Sequence, residues 1–413
     1  MRSYAAVMSR PVFRQADQHS QRPRHTRASL AGFALAASMI AALTLGACSS
    51  SAGSNASSST TTAGPHTPVS VPAWNPPVVA SDEVANASTP QIVAYGPDPA
   101  QTMEVFQSSG DPMGTIIYIH GGGWSGGSAQ DNTNAAILSQ EEQVRASELA
   151  QLNELAGDAS KQTLERVKKQ LARGWDIVSI DYRLATGTEA PGVAAARIIG
   201  DVDRAIRYAI ANADSLQLGM AKLVLSGASA GGHLTLMEAL TANAGTDTYI
   251  DPTLPADLRA VTVHFDGIVP FVAPTDIATF AQAGGLAPAA EEALLGCTTL
   301  PTVALPGSRP CPDMNLAESL SPITLTRAAA ADGTTLMPAY FGYGGSDQLV
   351  LISTQGTPEV QAWSAAAGVD QTWYDFPPTG THNLEDTINQ EALADWLDNV
   401  ASGQWTGSKA EKP

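Results

Sequence analysis

A serine between two glycines is the residue whose surroundings in this sequence most clearly predict chemistry. Ser229 is the centre of residues 227–231 (GASAG), which follow the short apolar run at 223–225 and precede apolar positions in helical spacing. A G-x-S-x-G segment between a strand and a helix holds its serine on a tight bend, with the hydroxyl group clear of the backbone. Both glycines are needed because strand and helix nearly touch there. Ser229 is therefore predicted as a nucleophile rather than as part of an ordinary glycine-rich loop.

The predicted nucleophile needs a base, because a serine hydroxyl group attacks weakly until its proton is accepted. His382 lies in a loop after the last predicted strand, and catalytic groups of alternating α/β sheets gather beyond the carboxyl ends of strands. His233 lies four residues beyond Ser229 on the same predicted helix, where packing is expected. His382 is therefore predicted as the base. Three of the remaining histidines, His19, His25 and His66, lie in the first 66 residues, before the first predicted strand. The other two lie at the end of a predicted strand (His120) and within one (His264).

An acid must then orient the histidine and stabilise its protonated form. Asp347 is predicted for this role because it follows the predicted strand 336–343 in a glycine-containing loop. The resulting chain order of serine, acid and histidine is the one expected when the serine lies on a strand-to-helix bend. The alternatives are Asp375, which ends a strand of its own, and the pair Glu385-Asp386, which is too close in sequence to His382 to orient it easily.

The oxyanion formed by attack on a carbonyl carbon needs N–H donors aimed at it. Three consecutive glycines follow the predicted strand 115–120, and no side chain covers their amide groups. Gly122 and Gly123 are predicted as donors, together with Ala230 at the start of the helix after the serine. The glycines are not followed by Lys-Ser or Lys-Thr, so a nucleotide-binding loop is not predicted. The motifs imply neither a metal nor an organic cofactor.

Apolar runs alternate with amphipathic segments along the rest of the chain, and this alternation predicts the α/β class. The expected architecture is a mostly parallel central sheet with helices on both faces. Buried helical faces are predicted around 198–209 and 391–400. Strands are predicted at 92–95, 103–106, 115–120, 176–181, 223–225, 260–265, 336–343 and 371–375.

Two insertions into this pattern are predicted. Residues 131–172 read as an extended helical insertion, with a capping box at Ser139 and Glu142 and an apolar face ending before Gly174. Residues 273–332 are rich in proline, alanine and glycine and read as an irregular, cap-like insertion. The sequence leaves open whether either one covers the site as a lid.

The amino terminus has the composition of an export signal. Residues 1–47 combine a basic head with an uncharged apolar run from residue 30, which ends in Leu-Gly-Ala before Cys48. The end of this run resembles a bacterial lipobox, and that resemblance implies that Cys48 carries lipid; a short transmembrane anchor is the alternative. Residues 48–83 are rich in serine, threonine and proline and are predicted as a flexible tether. The catalytic domain is expected at 84–405, with a short tail at 406–413.

The net charge indicates which kinds of partner the protein can bind, and the cysteines indicate the compartment in which it folds. The net charge of the 413 residues is −18, and it becomes −23 without residues 1–47. Such an acidic surface repels phosphate groups, so no nucleic-acid partner is expected. Cys297 and Cys311 are the two cysteines left in the exported part of the chain. They are close in sequence and are predicted to form a disulfide.

Taken together, the motifs resemble those of α/β-hydrolases, most closely hormone-sensitive-lipase-like carboxylesterases and bacterial feruloyl and acetyl esterases. The resemblance covers roughly residues 108–400 and rests on four motifs in the expected order and on His382. The motifs are HGGGW at 120–124, DYRL at 181–184, GASAGG at 227–232 and GSD at 345–347.

By position, the resemblance implies that Ser229 is the nucleophile, Asp347 the acid and His382 the base. Gly122, Gly123 and Ala230 match the oxyanion donors, whereas Tyr182 and Arg183 match a structural strand end. Thr186 stands where the family usually has proline, and both insertions are unusual. These departures affect the expected substrate rather than the chemistry.

The sequence therefore predicts an exported, lipid-anchored serine carboxylic-ester hydrolase that acts through a Ser-His-Asp triad and an acyl-enzyme. We expect a small-molecule ester substrate, with short-chain, acetyl or feruloyl groups, and attachment to a membrane through lipid at Cys48. The expected location is the cell surface or the periplasmic side of a bacterium. The alternatives are a peptidase or arylformamidase on the same fold, and a non-catalytic binding lipoprotein.

Overall fold

The central sheet of this chain, seen in a computed structural model, has eight strands in the order β1-β2-β4-β3-β5-β6-β7-β8. β1 and β2 pair antiparallel, as do β2 and β4, and all later neighbours pair parallel, which confirms the predicted mostly parallel sheet. The strands are β1 Gln91–Ala94, β2 Thr102–Phe106, β3 Gly114–Ile119, β4 Trp175–Ile180, β5 Leu223–Ala228, β6 Gly267–Phe271, β7 Ala339–Gly342 and β8 Thr372–Asp375.

The structure describes residues 90–129, 164–242, 251–300, 309–382 and 387–405. The predicted leader, Cys48, the tether, the capping box at Ser139 and Glu142, and the tail lie outside these residues. Within the described ranges, no helix combines the length and the apolar character needed to cross a bilayer.

Helices of nine or more residues are numbered here in chain order. Short helical turns also occur at Ala213–Leu216, Ala256–Arg259, Ile277–Phe280 and Asn315–Ser319. The numbered helices are α1 Val193–Ala211, α2 Ala230–Thr241, α3 Ala287–Leu295, α4 Pro322–Ala331, α5 Thr357–Ala367 and α6 Gln390–Ser402.

Both faces of the sheet are buried, as alternation along β3 shows. Ile117 and Ile119 belong to the apolar cluster that includes α1, α2 and α3, whereas Ile116 and Tyr118 belong to the cluster on the side of α6. Successive side chains of a strand point to opposite faces, so a strand that is apolar throughout must be covered on both sides. The predicted helical layers on both faces are confirmed.

The described part of the predicted insertion between β3 and β4 is helical, with the predicted apolar face buried. Leu164, Val167 and Leu171 are buried and pack into the cluster on the α6 side. The segment ends at Gly174, which has a left-handed conformation with φ 92°. Residues 131–163 of the predicted insertion lie outside the described part of the chain.

The predicted strand at 260–265 is wrong. Val263 and Phe265 are buried while Thr262 and His264 are exposed, so the alternation is present, but the segment joins no strand of the sheet. The strand that enters the sheet here is β6, which begins two residues after the predicted one ends and contains Pro270. Proline lacks the N–H that a strand interior normally donates. β6 tolerates it because the N–H groups on either side still bond toward β7: Ile268 to Pro338 O (2.9 Å) and Val272 to Gly342 O (2.7 Å).

The prediction that residues 273–332 are irregular is also wrong for the described residues. This segment contains α3, α4 and two of the short helical turns. Pro288 and Pro322 lie in the first turns of α3 and α4, where the missing N–H has no intrahelical partner to lose. Many of its side chains belong to the main core, including Leu294, Leu295 and Leu320.

Candidate active site

Ser229 occupies the bend between β5 and α2, with φ 54° and ψ −118°. A positive φ is unfavourable for a residue with a side chain and is found where surrounding contacts enforce it. Here the Ser229 N–H donates to Phe271 O (2.8 Å), and the Ser229 carbonyl accepts from the His233 N–H (3.0 Å). The neighbouring strand β6 and the first turn of α2 therefore hold the bend that presents the hydroxyl group.

Among the described residues other than glycine, three of the four with positive φ lie at this end of the sheet; the fourth, Gln217, ends the short turn Ala213–Leu216. Besides Ser229, Trp124 after β3 and Val272 after β6 have positive φ, 60° and 39° respectively. Each of the three follows the carboxyl end of a parallel strand. The enforced conformations thus lie at the edge of the sheet where the predicted catalytic groups meet.

Gly231 is required by the close approach of α2 to β3. A Cβ atom placed on Gly231 would lie 2.1 Å from the Ile119 carbonyl oxygen and 2.5 Å from that of His120. Because both contacts are to backbone atoms, they cannot be relieved by a side-chain movement. The start of α2 therefore lies against the point where the glycine loop leaves β3.

Ser229, His382 and Asp347 form a continuous row of hydrogen bonds. The His382 Nε2 atom lies 3.0 Å from Ser229 Oγ, and His382 Nδ1 lies 2.8 Å from Asp347 Oδ2. The Asp347 side chain is fully buried, and that of His382 is 11% exposed. A carboxylate at Nδ1 favours the tautomer with its proton on that nitrogen, which leaves Nε2 to accept the serine proton.

Asp347 is itself held in place by the loop that carries it. Its Oδ1 atom accepts the N–H groups of Leu349 (2.8 Å) and Val350 (3.0 Å), so both carboxylate oxygens have donors. The loops of the acid and the histidine also run side by side, since the Ser346 N–H donates to Gly380 O (2.8 Å). The distance between Asp347 and His382 is therefore set by backbone contacts.

The other histidines and acids considered for the base and the acid, where the structure describes them, contact other partners. His233 is fully buried on α2, as its predicted packing role requires, and burial lowers its pKa to about 4. Asp375 ends β8 and accepts the Asn389 N–H at 3.0 Å. His120 is buried and stacks on Tyr182 with ring centroids 4.2 Å apart. The pair Glu385-Asp386 lies outside the described residues.

The glycine loop after β3 turns sharply beside the serine. Gly122 and Gly123 have φ 110° and 57°, and the Gly122 carbonyl accepts the N–H groups of Ser125 and Gly126 (3.1 and 2.9 Å). Ala230 is the first residue of α2, and the first N–H groups of a helix lack intrahelical acceptors. This arrangement brings the three predicted donors to the same end of the sheet; their catalytic role stays a prediction.

Tyr182 and Arg183 make structural contacts. The Tyr182 hydroxyl group donates to His120 O (3.2 Å), and the Arg183 guanidinium donates twice to the Asp201 carboxylate of α1, at 2.8 and 2.6 Å. Such a two-point ion pair fixes the loop after β4 against α1. In the described part of the chain, no group of three or more His, Cys, Asp or Glu side chains is arranged to hold a metal ion.

Sequence reasoning missed Gln355, which connects two loops near the site. Its Oε1 atom accepts the N–H groups of Thr275 and Asp276, both at 2.8 Å. Gln355 follows the Asp347 loop, whereas Thr275 and Asp276 follow β6. No sequence pattern signals a glutamine whose partners lie 80 residues away.

Solved structures of esterases resemble this fold. A truncated form of a carbohydrate esterase from gut microbiota aligns with a TM-score of 0.52 and 19% identity, over 76% of this chain and 97% of that one. Thermogutta terrifontis esterase 2, phosphonylated by cyclosarin, aligns with a TM-score of 0.47 and 16% identity, over 79% and 98% of the two chains. The chain has the α/β-hydrolase fold.

Sequence comparisons of this chain agree with its motifs. Residues 154–352 match the BD-FAE family model, a range that includes Ser229 and Asp347 but not His382. Esterase LipC of Mycobacterium tuberculosis (strain ATCC 25618 / H37Rv) is 32% identical over 171 residues, which is 38% of this chain and 34% of the relative. The match thus spans about a third of the relative's length. The predicted resemblance to esterases of this fold is confirmed.

Proposed function

We propose that this chain is a serine carboxylic-ester hydrolase in which Ser229 is the nucleophile, His382 the base and Asp347 the acid that orients it. The observation that carries the proposal is the unbroken row of hydrogen bonds from Asp347 Oδ2 through His382 to Ser229 Oγ. An imidazole that is neutral and held at both nitrogens is the arrangement that activates a serine hydroxyl group.

Catalysis proceeds in two halves. His382 Nε2 takes the proton of Ser229 as Oγ attacks the ester carbonyl carbon. The resulting oxyanion accepts hydrogen bonds from the N–H groups of Gly122, Gly123 and Ala230. Collapse expels the alcohol, which takes the proton from His382, and leaves an acyl group on Ser229. A water molecule then gives a proton to His382 as it attacks the acyl carbon. When this second intermediate collapses, the bond to Ser229 Oγ breaks, Oγ takes the proton back from His382, and the acid is released.

Short-chain, acetyl or feruloyl esters are the proposed substrates. The names of the relatives support an ester: LipC is an esterase, and the gut-microbiota protein is a carbohydrate esterase. The strongly acidic composition also favours neutral substrates over anionic ones, because like charges disfavour binding.

Export and lipid anchoring are part of the proposal. Residues 1–47 are proposed as the signal, Cys48 as the lipidated residue and residues 48–83 as the tether that separates the domain from the membrane. The disulfide between Cys297 and Cys311 supports an oxidising compartment. In a bacterial host, Cys48→Ala should move the protein from the membrane fraction to the soluble fraction; retention in the membrane would contradict the anchor.

The activity is tested by labelling the purified chain with a fluorophosphonate probe, beside Ser229→Ala. We expect labelling of the wild type and none of Ser229→Ala. Ser226→Ala is the matched control: Ser226 is a buried serine of β5 whose hydroxyl group donates to Val269 O (3.1 Å), so its loss should leave labelling intact.

The class of ester is then ranked with p-nitrophenyl acetate, butyrate and octanoate and with methyl ferulate. Preference for acetate or butyrate indicates a short-chain esterase, and preference for the ferulate indicates a feruloyl esterase. A folded wild type that is neither labelled nor active on any ester would contradict the proposal and favour the non-catalytic binding protein. Faster hydrolysis of amides or aryl formamides would favour the peptidase or arylformamidase.

A further inference from the structure

Trp124 and His233 join two segments that meet beside the nucleophile. The indole Nε1–H of Trp124 donates to His233 Nδ1 at 3.3 Å, and the two rings meet edge to face with centroids 5.2 Å apart. Both residues are buried, with 1% and 0% of their surfaces exposed. Trp124 directly follows the glycine loop, and His233 lies one turn beyond Ser229 on α2.

The other nitrogen of His233 fixes the state of the ring. Nε2 lies 2.9 Å from the carbonyl oxygen of Leu320, in the segment before α4. Burial lowers the pKa of His233 to about 4 against the opposing effect of the Leu320 carbonyl, so the imidazole is neutral near pH 7. A neutral ring between a carbonyl oxygen and an indole N–H has one consistent tautomer, with Nε2 donating to Leu320 and Nδ1 accepting from Trp124.

The position of Trp124 gives this hydrogen bond a consequence for the oxyanion donors. Trp124 has φ 60° and immediately follows Gly122 and Gly123, so its ring is the first large side chain after the donors. Its carbonyl oxygen accepts the Ala185 N–H at 2.8 Å, and its ring also meets Phe280 edge to face. Of these contacts, the one with His233 joins Trp124 by a hydrogen bond to the helix that follows Ser229.

We propose that His233 is a positioning residue, which holds the glycine loop at the correct distance from Ser229 by accepting the indole hydrogen bond of Trp124. The inference rests on the proposed function, because it concerns the oxyanion donors of that reaction. His233 touches neither substrate nor reacting atoms; it acts through Trp124. Oxyanion donors that are displaced lower the rate of the chemical step without weakening ground-state binding.

The two nitrogens of His233 can be tested separately with the full chain. His233→Asn places an oxygen near the former Nδ1 and keeps an acceptor for Trp124. His233→Gln reaches toward the former Nε2 and can serve Leu320 but not Trp124. Trp124→Phe removes the indole donor and keeps an aromatic ring. Trp363→Phe is the matched control, since its buried indole donates to Met337 O (2.9 Å) away from the site.

The readouts are kcat and KM for p-nitrophenyl acetate, the rate constant for fluorophosphonate labelling, and the thermal unfolding temperature. We expect Trp124→Phe and His233→Gln to lose kcat by about tenfold, with KM changed less than about twofold, because a small displacement of positioning groups is costly to the chemical step. His233→Asn should retain most of the kcat. Labelling rates should fall in parallel with kcat, because the phosphonyl oxygen uses the same donors.

A combined variant of Trp124→Phe and His233→Gln should lose no more kcat than either single change, because both remove one interaction. Wild-type kcat in Trp124→Phe would overturn the inference, as would an equal loss in the control Trp363→Phe. Equal losses in His233→Asn and His233→Gln at equal unfolding temperatures would also overturn it. If the wild type itself is inactive and unlabelled, the proposed function fails instead.

Discussion

The phenol of Tyr340 donates a hydrogen bond to Asp375 Oδ2 at 2.5 Å, across the neighbouring strands β7 and β8. Burial, and then the charge of Asp375, raise the pKa of Tyr340, so the phenol stays protonated and remains a donor. The Tyr340 ring also meets Trp396 of α6 edge to face. These contacts hold the Asp375 carboxylate on the α6 side of the sheet. Of the two acids, it is Asp347 that contacts His382.

This difference predicts opposite outcomes for two conservative substitutions. Asp347→Asn should lower kcat by about 10³- to 10⁴-fold, because the amide favours the wrong tautomer of His382 and no longer stabilises its protonated form. Asp375→Asn should leave kcat within about threefold and act mainly on stability, since it weakens a buried hydrogen bond. Steady-state kinetics with p-nitrophenyl acetate measures both. Comparable losses in the two variants would overturn the assignment of the acid.

Gly231→Ala should damage both folding and activity. The added methyl group meets the Ile119 carbonyl oxygen, so α2 or the end of β3 must move, at a cost of about 1–3 kcal/mol of unfolding free energy. The movement displaces Ser229 and should lower kcat as well. Urea unfolding and ester hydrolysis are the measurements.

Gly403→Ala is the control for Gly231→Ala. Gly403 ends α6 with φ 68°, and a Cβ atom there meets nothing within 4 Å. Its substitution should cost only about 1 kcal/mol for the left-handed conformation and leave kcat unchanged. If Gly231→Ala behaves like this control, then the close approach of α2 to β3 is not a constraint on the protein.

Loss of the disulfide should lower stability without abolishing the chemistry. Cys297 and Cys311 are bonded, 14 positions apart, within the segment between β6 and β7. Cross-linking a loop of this size restricts the unfolded chain and stabilises the fold by about 3 kcal/mol. The double change Cys297→Ser with Cys311→Ser should lower the urea midpoint, and reductant should lower the wild type to match it. A wild-type midpoint that reductant does not change would mean that the bond contributes nothing.

Glu359 of α5 predicts a pH dependence of folding. The side chain is buried, Thr326 Oγ1 donates to its Oε1 at 2.5 Å, and burial raises its pKa to about 8 despite that bond and the charge of Arg327. Between the ordinary glutamate pKa of 4.5 and the raised pKa of about 8, the folded state therefore binds more protons than the unfolded state. The free energy of unfolding from this group is greatest below pH 4.5 and falls as the pH rises toward 8.

Glu359→Gln should remove this decline, because an amide stays neutral at every pH in the range. The free energy of unfolding of the variant, relative to that of the wild type, should rise as the pH is raised from about 5 to about 8, the window between the two pKa values. A series of urea unfolding experiments at different pH measures this difference. Glu318→Gln, which changes an exposed carboxylate, is the control and should keep the wild-type slope. Parallel curves for Glu359→Gln and the wild type would contradict a raised pKa.

Residues close in sequence were sufficient to predict the features that depend on local geometry. The bend at Ser229 follows from a strand, two glycines and a helix in succession, and the buried faces of α1 and α6 follow from 3.6-residue spacing. Short helices escaped this reasoning: α3 and α4 have only 9 and 10 residues and begin with proline in the first turn. Such segments contain too few turns for a periodic pattern to stand out.

Contacts between distant segments were decided only by the tertiary structure. Pro270 lacks the N–H that a strand interior normally donates, yet β6 forms there because bonds from Ile268 and Val272 keep it joined to β7. Trp124 and His233 are 109 positions apart, and nothing local to either residue reports their hydrogen bond. The sequence by itself determined which residue types could perform ester hydrolysis and their order along the chain. The packing of the loops after β7 and β8 decided which acid contacts the histidine, because the Ser346 N–H bonds to Gly380 O and joins the two loops, whereas Asp375 is held by Tyr340 and the Asn389 N–H.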